Sequence, residues 1–282
     1  MAKRLLKRWD IGTLPPNFII YICSQKRSGK SVLCNAIYLE HIEDNFDIVC
    51  VLCGNPHTAA AWRKHVPEMY VHARYNSKVL RDFFRQSDYL LKKGQKLPSV
   101  CFILDDVLRM RKSDGRSRTA DDPYLHRIFQ ECAHYNVSLV LISQNIAGGT
   151  SSWCRNSDIF AFSPSSLSNQ NDTELICKSY MGGRDFNTNY NLLDTFEKHE
   201  WWIVRFHTAS KRQKELLRYY KVDKSLLSYI LKPTPSSSES ESDDGVSPPG
   251  KEANSCEKKL RPQHLSDLKS GSPDECCASE NV

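Results

Sequence analysis

Short apolar runs alternate along the first 232 residues with longer stretches whose apolar residues recur at helical spacing. The apolar runs favour strands that are buried on both faces. We predict strands over residues 18–23, 46–53, 69–72, 100–104, 137–144, 159–162 and 201–206. We predict helices over residues 32–39, 59–67, 79–91, 123–134, 172–181 and 211–231. This alternation favours an α/β fold with a mostly parallel central sheet and helices on both faces.

The first predicted strand runs into a polar turn that ends Gly-Lys-Ser, and a predicted helix follows. The turn consists of Ser24, Gln25, Lys26, Arg27, Ser28, Gly29, Lys30 and Ser31. A strand, a loop and a helix in this order are typical of a P-loop, whose amides and helix dipole bind phosphate. We expect Lys30 to reach the β- and γ-phosphates of ATP and the Ser31 hydroxyl to bind Mg²⁺. Ser24 stands where the usual pattern has its first glycine.

A second motif follows the predicted strand 100–104, which ends in Asp105 and Asp106. A central parallel strand delivers its last residues to the carboxyl edge of the sheet, where the P-loop is also expected. An apolar strand that ends in two carboxylates is the Walker B pattern. Asp105 is then expected to hold Mg²⁺, and Asp106 to polarise the attacking water as a general base.

Two further polar residues are candidates for the same site. Gln144 ends the most β-prone run of the chain, where an amide can hydrogen-bond both the γ-phosphate and the attacking water. A residue at this position can equally serve only as the cap of a loop. Arg155 is a candidate arginine finger, because a planar guanidinium suits the charge on the γ-phosphoryl oxygens of a neighbouring subunit's ATP. An ion pair within the chain is the competing interpretation.

Composition divides the chain into three parts. Residues 1–14 form a basic arm that we expect to be exposed, residues 15–232 the P-loop ATPase domain, and residues 233–282 a Ser-rich acidic tail that we expect to be disordered. The tail carries ten acidic and five basic residues, so the remainder has a net charge of +11 within a chain of +6. This excess indicates a polyanionic partner such as DNA, or else ordinary solubility charge. The hydrophilic insert 108–122 is either a phosphate-backbone contact or a solvated loop.

The eleven cysteines do not form a disulfide pattern, and several lie within apolar runs. Cys50 and Cys53 make a C-x-x-C, but no second pair completes a zinc site, so we predict that Cys50 is a core residue. No apolar run approaches the length of a membrane span. Together with the absence of a signal peptide, this predicts a soluble, intracellular protein without membrane insertion.

Four elements in chain order carry a family resemblance: the P-loop, Asp105-Asp106, the strand that ends in Gln144, and Arg155-Asn156-x-Asp158. Over residues 15–210 the chain resembles the genome-packaging ATPases of large eukaryotic DNA viruses, a branch of the FtsK–HerA superfamily. The resemblance implies a RecA-like core and a homo-oligomeric ring, with a hexamer as the expected ring size. It also implies ATP hydrolysis that drives double-stranded DNA into a capsid, with viral capsid proteins as partners, in the host nucleus or cytoplasm. Cellular relatives usually have Glu at the position of Asp106.

Two other functions are compatible with the motifs. A P-loop nucleoside or nucleotide kinase has a similar size and a basic phosphate site, but it does not need the strand-end Gln144 or the Asp-Asp pair. A DNA-binding scaffold that binds ATP without turnover would have no use for an intact Asp105, Asp106 and Gln144.

Overall fold

The computed structural model describes residues 6–109, 119, 121–144, 156–163, 174, 176–177, 191, 196–197, 199–205 and 217–231. The strands are β1 Lys7–Arg8, β2 Ile19–Cys23, β3 Ile48–Cys53, β4 Val71–His72, β5 Val100–Asp105, β6 Val137–Ser143, β7 Ile159–Phe162, β8 Glu200–Arg205 and β9 Leu217–Lys221. The α-helices are α1 Lys30–Ile37, α2 Pro56–Trp62, α3 Ser77–Lys92, α4 Pro123–Glu131 and α5 Lys224–Leu231. Helix α1 continues as a π-helical stretch, Tyr38–Ile42, and a final turn, Glu43–Asn45.

The nine strands form one sheet in the order β1-β9-β8-β7-β2-β6-β5-β3-β4. Strand β8 is antiparallel to both of its neighbours, and every other pairing is parallel. This confirms the prediction of a mostly parallel sheet. Strand β6 pairs with both β2 and β5 and therefore separates the strand before the P-loop from the strand that ends in Asp105.

Two apolar layers cover the sheet, one on each face. Leu80 and Phe84 of α3 pack with the side chains of one face, together with apolar residues of α4. Residues of α1, α2 and α5 pack with the other face, as Leu33, Trp62 and Leu226 show. Every residue of β2, β5 and β6 is buried, as expected for central strands covered on both sides. This confirms the prediction that helices cover both faces of the sheet, whereas most of the predicted helix 172–181 lies outside the described residues.

The structure of residues 217–231 differs from the predicted helix over 211–231. Residues 217–221 lie in β9 and only residues 224–231 are helical, so the predicted helix over 211–231 is wrong for 217–221. Tyr219 and Tyr220 lie opposite Trp202 and Trp201 of β8. Pairing of aromatic residues across strands is a tertiary effect that helical spacing in the sequence does not reveal.

The prediction of an exposed N-terminal arm is wrong for Trp9, Ile11 and Leu14, which are buried, whereas the other residues of 7–14 are exposed. Lys7 and Arg8 pair with β9, and Trp9 and Ile11 are buried in the layer that contains α1. The Trp9 ring meets Tyr220 edge-on, with ring centroids 5.8 Å apart. A basic sequence with apolar residues interspersed therefore completes the sheet. Residues 1–5 and the tail 233–282 lie outside the described residues, so the remaining domain boundaries stay predictions.

The predicted core position of Cys50 is confirmed. Cys50 and Cys53 are both buried in β3, but Cys50 packs in one apolar layer and Cys53 in the other. The two thiols therefore lie on opposite faces of the sheet and cannot share one metal ion. Among the helices of the described residues, none is long and apolar enough to cross a membrane.

Candidate nucleotide site at the carboxyl edge of the sheet

Three adjacent parallel strands, β2, β6 and β5, end level with one another. Cys23 pairs with Ser143, and Ile142 with Asp105. The P-loop follows β2, Gln144 follows β6, and Asp105 ends β5. The structure therefore brings the predicted P-loop, the two carboxylates and Gln144 to one edge of the sheet, as ligand sites of parallel α/β sheets require.

The predicted phosphate-binding loop leads directly into α1. Gly29 is the N-cap residue, with φ 93° and no capping side chain, and the first helical bond runs from Leu33 N–H to Gly29 C=O at 3.0 Å. Amides at the start of a helix have no intrahelical acceptor and can bind an anion. Lys30 is the first helical residue, and its Nζ donates to Gln25 C=O at 2.6 Å. The lysine thus spans the concave side of its own loop.

Ser24 fits in place of the usual glycine because its position needs no left-handed backbone. Positive φ values within the loop fall on Arg27, at 64°, and on Gly29. Ser24 itself is buried, and its N–H donates to Ser143 C=O at 3.2 Å, which continues the β2–β6 ladder by one residue. Within this loop, the left-handed conformations therefore fall on Arg27 and Gly29 and not on Ser24.

Gly29 is constrained from outside the loop as well. A Cβ atom built on Gly29 would lie 2.5 Å from Nδ1 of His199, so no larger residue fits without displacing that ring. His199 precedes β8 and has a positive φ of 65°. Sequence reasoning did not identify His199 at this site, since it lies about 170 residues from the P-loop and belongs to no recognisable motif.

Asp105 is a buried carboxylate with one fixed neighbour. Its Oδ2 accepts a hydrogen bond from Trp62 Nε1 at 3.0 Å, and only 4% of the residue is exposed. Burial raises the pKa of the Asp105 carboxyl, and the hydrogen bond from Trp62 lowers it. The charge of Asp106 raises this pKa further, whereas the charge of Lys30 lowers it. A nearby cation stabilises the ionised form of a buried carboxyl group. Trp62 was not predicted as a site residue.

Local chemistry at the start of α2 sets the position of Trp62. The Asn55 side chain caps the helix by accepting from Thr58 N–H at 2.9 Å, and Pro56 occupies the first turn. Trp62, at the last position of this helix, then lies against Tyr38, with ring centroids 5.9 Å apart. No signal in the sequence pointed to a contact between Trp62 and Asp105.

The two predicted Mg²⁺ residues, Ser31 and Asp105, line the same open pocket of about 280 Å³. Asn35, His57, Thr58, Ala61 and Trp62 complete its lining. A hydroxyl and a carboxylate are hard oxygen donors, and Mg²⁺ commonly takes only one or two protein ligands beside water and substrate phosphates. No cluster of three His, Cys, Asp or Glu residues that could hold a metal occurs in the described part of the chain. The residues present fit Mg²⁺ bound together with a nucleotide.

Asp106 and Gln144 are in direct contact. Gln144 Nε2 donates to both carboxylate oxygens of Asp106, at 3.0 and 2.9 Å. An ionised carboxylate only accepts hydrogen bonds, so the amide must present its NH₂ group. Asp106 has a left-handed backbone, with φ 59°, and its N–H donates to Ile142 C=O at 3.3 Å.

Gly54 supports this conformation from the neighbouring strand. Its N–H donates to Asp105 C=O at 2.8 Å, and a Cβ at this position would lie 2.2 Å from the carbonyl oxygen of Asp106. Any side chain would therefore collide with main-chain atoms. The only signal for Gly54 in the sequence is its position directly after the predicted strand 46–53.

Arg155 lies outside the described residues, so its role stays a prediction. Most of the insert 108–122 also lies outside the described residues, so its proposed contact with DNA phosphates stays a prediction. Its two described ends are held together, because the buried Thr119 hydroxyl donates to Val107 C=O at 3.1 Å.

Replacing Trp62 with Phe keeps the aromatic ring and removes the hydrogen bond to Asp105. We expect the Mg²⁺ concentration needed for half-maximal binding of a fluorescent ATP analogue to rise about tenfold, as for other residues that orient a metal ligand. Tyr38→Phe is the matched control, since it removes a hydrogen bond to His65 C=O from the same aromatic cluster. An unchanged Mg²⁺ requirement in the Trp62 variant would contradict this role.

Gly54→Ala should displace the main chain of Asp106 while the P-loop, three strands away, keeps its shape. We expect ATP turnover to fall about 100-fold, the cost of a displacement of roughly 1 Å, with ATP affinity nearly unchanged. Steady-state hydrolysis and equilibrium binding of ATP measure the two effects. Gly12→Ala serves as the control, because its Cβ would meet only the Asp10 side chain. Equal losses of binding and turnover would show that Gly54 acts on the whole domain.

No protein-family model matches the sequence, and no curated protein matches it significantly. The fold is similar to the genome-packaging NTPase B204 from Sulfolobus turreted icosahedral virus 2 in complex with AMPPCP. That comparison has a TM-score of 0.50 and 14% identity and covers 74% of this chain and 99% of that chain. B204, the DNA-packaging ATPase from Sulfolobus turreted icosahedral virus, gives a TM-score of 0.52 at 14% identity and covers 74% and 98%. At such identity the likeness concerns the fold, so the chain has a RecA-like P-loop ATPase fold.

Proposed function

We propose that the chain is an ATP-hydrolysing motor that translocates double-stranded DNA, with packaging of a viral genome into a capsid as its setting. The contact between Gln144 and Asp106, at the edge that also carries the P-loop, is the observation that carries this proposal. A site that only binds nucleotide does not need a second carboxylate held by an amide. Similarity of the fold to a DNA-packaging ATPase supports the motor function.

The binding half of the site consists of the P-loop, Ser31 and Asp105. The loop amides and the N-terminus of α1 would hold the phosphates of ATP, with Ser24 to Gly29 shaping the loop and Lys30 placing its charge on the β- and γ-phosphates. Ser31 and Asp105, in the latter case through water, would hold Mg²⁺. Bound Mg²⁺ supplies charge that neutralises the phosphate oxygens. Trp62 keeps the Asp105 carboxylate oriented toward the pocket.

Asp106 and Gln144 form the hydrolytic half. Asp106 would accept a proton from the attacking water as the water adds to the γ-phosphorus and the bond to the β-phosphate oxygen breaks. Gln144 holds the Asp106 carboxylate with its NH₂ group, and its carbonyl oxygen would accept a hydrogen bond from that water. An aspartate is shorter than the usual glutamate, and the amide fixes its orientation.

The remaining parts of the proposal concern assembly. Arg155 would supply its guanidinium to the ATP of a neighbouring subunit in a homo-oligomeric ring, a hexamer by resemblance. Double-stranded DNA would be the translocated substrate, consistent with the net charge of +11 outside the tail. Capsid proteins would be the partners at the site of virion assembly in the host nucleus or cytoplasm.

Lys30→Ala tests the catalytic assignment, because it removes the charge that contacts the phosphates. We expect wild-type hydrolysis to be stimulated by duplex DNA, with a stimulation that falls steeply as salt rises, and no activity in the variant. Measurement of phosphate release with and without duplex DNA across a salt series decides both points. Lys64→Ala, which removes an exposed lysine outside the phosphate-binding loop, is the matched control.

Three outcomes would contradict the motor function. Hydrolysis in the Lys30 variant equal to that of the wild type would remove the P-loop assignment. Transfer of phosphate to nucleosides in the absence of DNA would indicate a kinase. ATP binding without turnover under all conditions would indicate a scaffold.

Arg155→Ala should leave ATP binding intact and abolish turnover if the arginine acts on a neighbour's nucleotide. Mixing Arg155→Ala subunits with Lys30→Ala subunits should restore part of the activity, since some interfaces then pair an intact Lys30 with an intact Arg155. Phosphate release from mixtures at varied ratios is the measurement. Normal turnover in the Arg155 variant alone would exclude a finger role.

A further inference from the structure

Helix α3 presents a stripe of cations on its outer side. The stripe consists of Lys78, Arg81, Arg85, Tyr89 and Lys92, all of them exposed. At 3.6 residues per turn, these five positions fall within about 80° of the helix circumference. The buried residues Leu80, Phe84 and Ser87 occupy the opposite side. We call this surface the α3 stripe.

The helix concentrates charge well beyond the average of the chain. Residues 74–96 contain seven basic and two acidic residues, a net charge of +5 in a chain of +6. Arg74 before the helix and Lys93 and Lys96 after it are also exposed and extend the basic surface at both ends. No acidic residue lies within the stripe itself.

The cations of the α3 stripe are largely unneutralised by the described residues. Arg81 contacts Asp82 at 3.6 Å, but Lys78, Arg85 and Lys92 form no ion pair in that part of the chain. Arg127 of the adjacent helix α4 differs, since it contacts Asp88 and Glu131 and stacks over two aromatic rings. Arg127 is thus paired with two carboxylates, whereas three of the four cations of the stripe form no ion pair with the described residues.

Tyr89 adds a second chemical feature. It is 48% exposed between Arg85 and Lys92, and Lys93 Nζ lies over its ring at 4.5 Å. A tyrosine hydroxyl commonly donates to phosphate oxygens in protein–DNA contacts, as Lys and Arg do. The stripe therefore presents hydrogen-bond donors and contains no carboxylate along its whole length.

The fold fixes where the stripe runs. Helix α3 leads from the carboxyl end of β4 back to the start of β5, so Lys78 lies toward the nucleotide edge of the sheet and Lys92 toward the opposite edge. The distance along the helix axis is about 21 Å. The stripe lies on the sheet face opposite α1, since α3 and α1 pack in different apolar layers.

We propose that the α3 stripe binds the phosphate backbone of a nucleic-acid duplex, through about four charge contacts. A regular line of cations matches a regular line of phosphates. An acidic protein partner would instead be expected to use apolar anchors, and the stripe contains none besides Tyr89. The identification of the duplex as DNA rests on the proposed function. Binding itself does not depend on ATP hydrolysis.

The test compares two full-length variants that lose the same charge. The stripe variant carries Lys78→Gln, Arg81→Gln, Arg85→Gln and Lys92→Gln. The control variant carries Lys7→Gln, Arg63→Gln, Lys64→Gln and Lys224→Gln, four exposed residues outside α3. Fluorescence anisotropy of a labelled duplex, measured without nucleotide over a salt series, gives the affinity and its salt dependence. Thermal unfolding verifies that each variant is folded.

We expect the stripe variant to bind at least tenfold more weakly than the wild type, with a log–log salt slope smaller by about 3 to 4. The control variant should lose less than threefold. Equal losses in both variants, or no binding by the wild type, would overturn the proposal. A synthetic peptide of residues 234–246, the acidic part of the tail, is added as competitor at matched charge. Displacement of the duplex by this peptide would assign the stripe to acidic segments instead.

The outcomes separate this proposal from the proposed function. Loss of duplex binding in the stripe variant supports the α3 stripe even if the wild type shows no DNA-stimulated hydrolysis. DNA-stimulated hydrolysis that is unchanged in the stripe variant, together with unchanged binding, would leave the motor function standing and remove the stripe.

Discussion

The site depends on three parallel strands that end level with one another. Main-chain hydrogen bonds fix this alignment, since Ser24 N–H donates to Ser143 C=O and Asp106 N–H donates to Ile142 C=O. Adjacent strands lie about 4.8 Å apart, so β2 and β5 are about 10 Å apart with β6 between them. Gln144 occupies that gap. The distance between the phosphate loop and the two carboxylates is therefore set by the spacing of the strands and not by side-chain contacts.

Residues with left-handed backbone conformations cluster at this edge of the sheet. Among the described residues, four that are not glycine have positive φ, and Arg27, Asp106 and His199 of these border the site. Two of them face a glycine: Asp106 lies against Gly54 and His199 against Gly29. Such conformations persist only where the surroundings enforce them. In both pairs the missing Cβ of the glycine makes room for the strained residue.

Sequence patterns predicted the sheet, the two helical layers and the strand–loop–helix order around residues 24–29 correctly, because each is encoded within a single segment. Apolar runs predict buried strands, and Gly29-Lys30-Ser31 follows such a run directly. Trp62, Gly54 and His199 were missed because their importance comes from contacts with residues 43 to 170 positions away. Strand β9 was missed for the same reason: its partner is β8, and its own sequence has helical spacing. Asp106 and Gln144 were predicted separately, but their mutual hydrogen bonds follow only from the adjacency of β5 and β6.

Both outermost strands of the described sheet, β1 and β4, are only two residues long. Lys7 and Arg8 form one of them, and Arg8 is tied to Asp223 at 2.8 Å. Short, charged border strands offer few main-chain groups to a second sheet and prevent sheets from joining edge to edge. Within the described residues, the borders of the sheet therefore offer little main chain for β-augmentation between copies of this chain. Contacts through helices and loops would let copies slide or rotate without breaking a continuous hydrogen-bonded ladder.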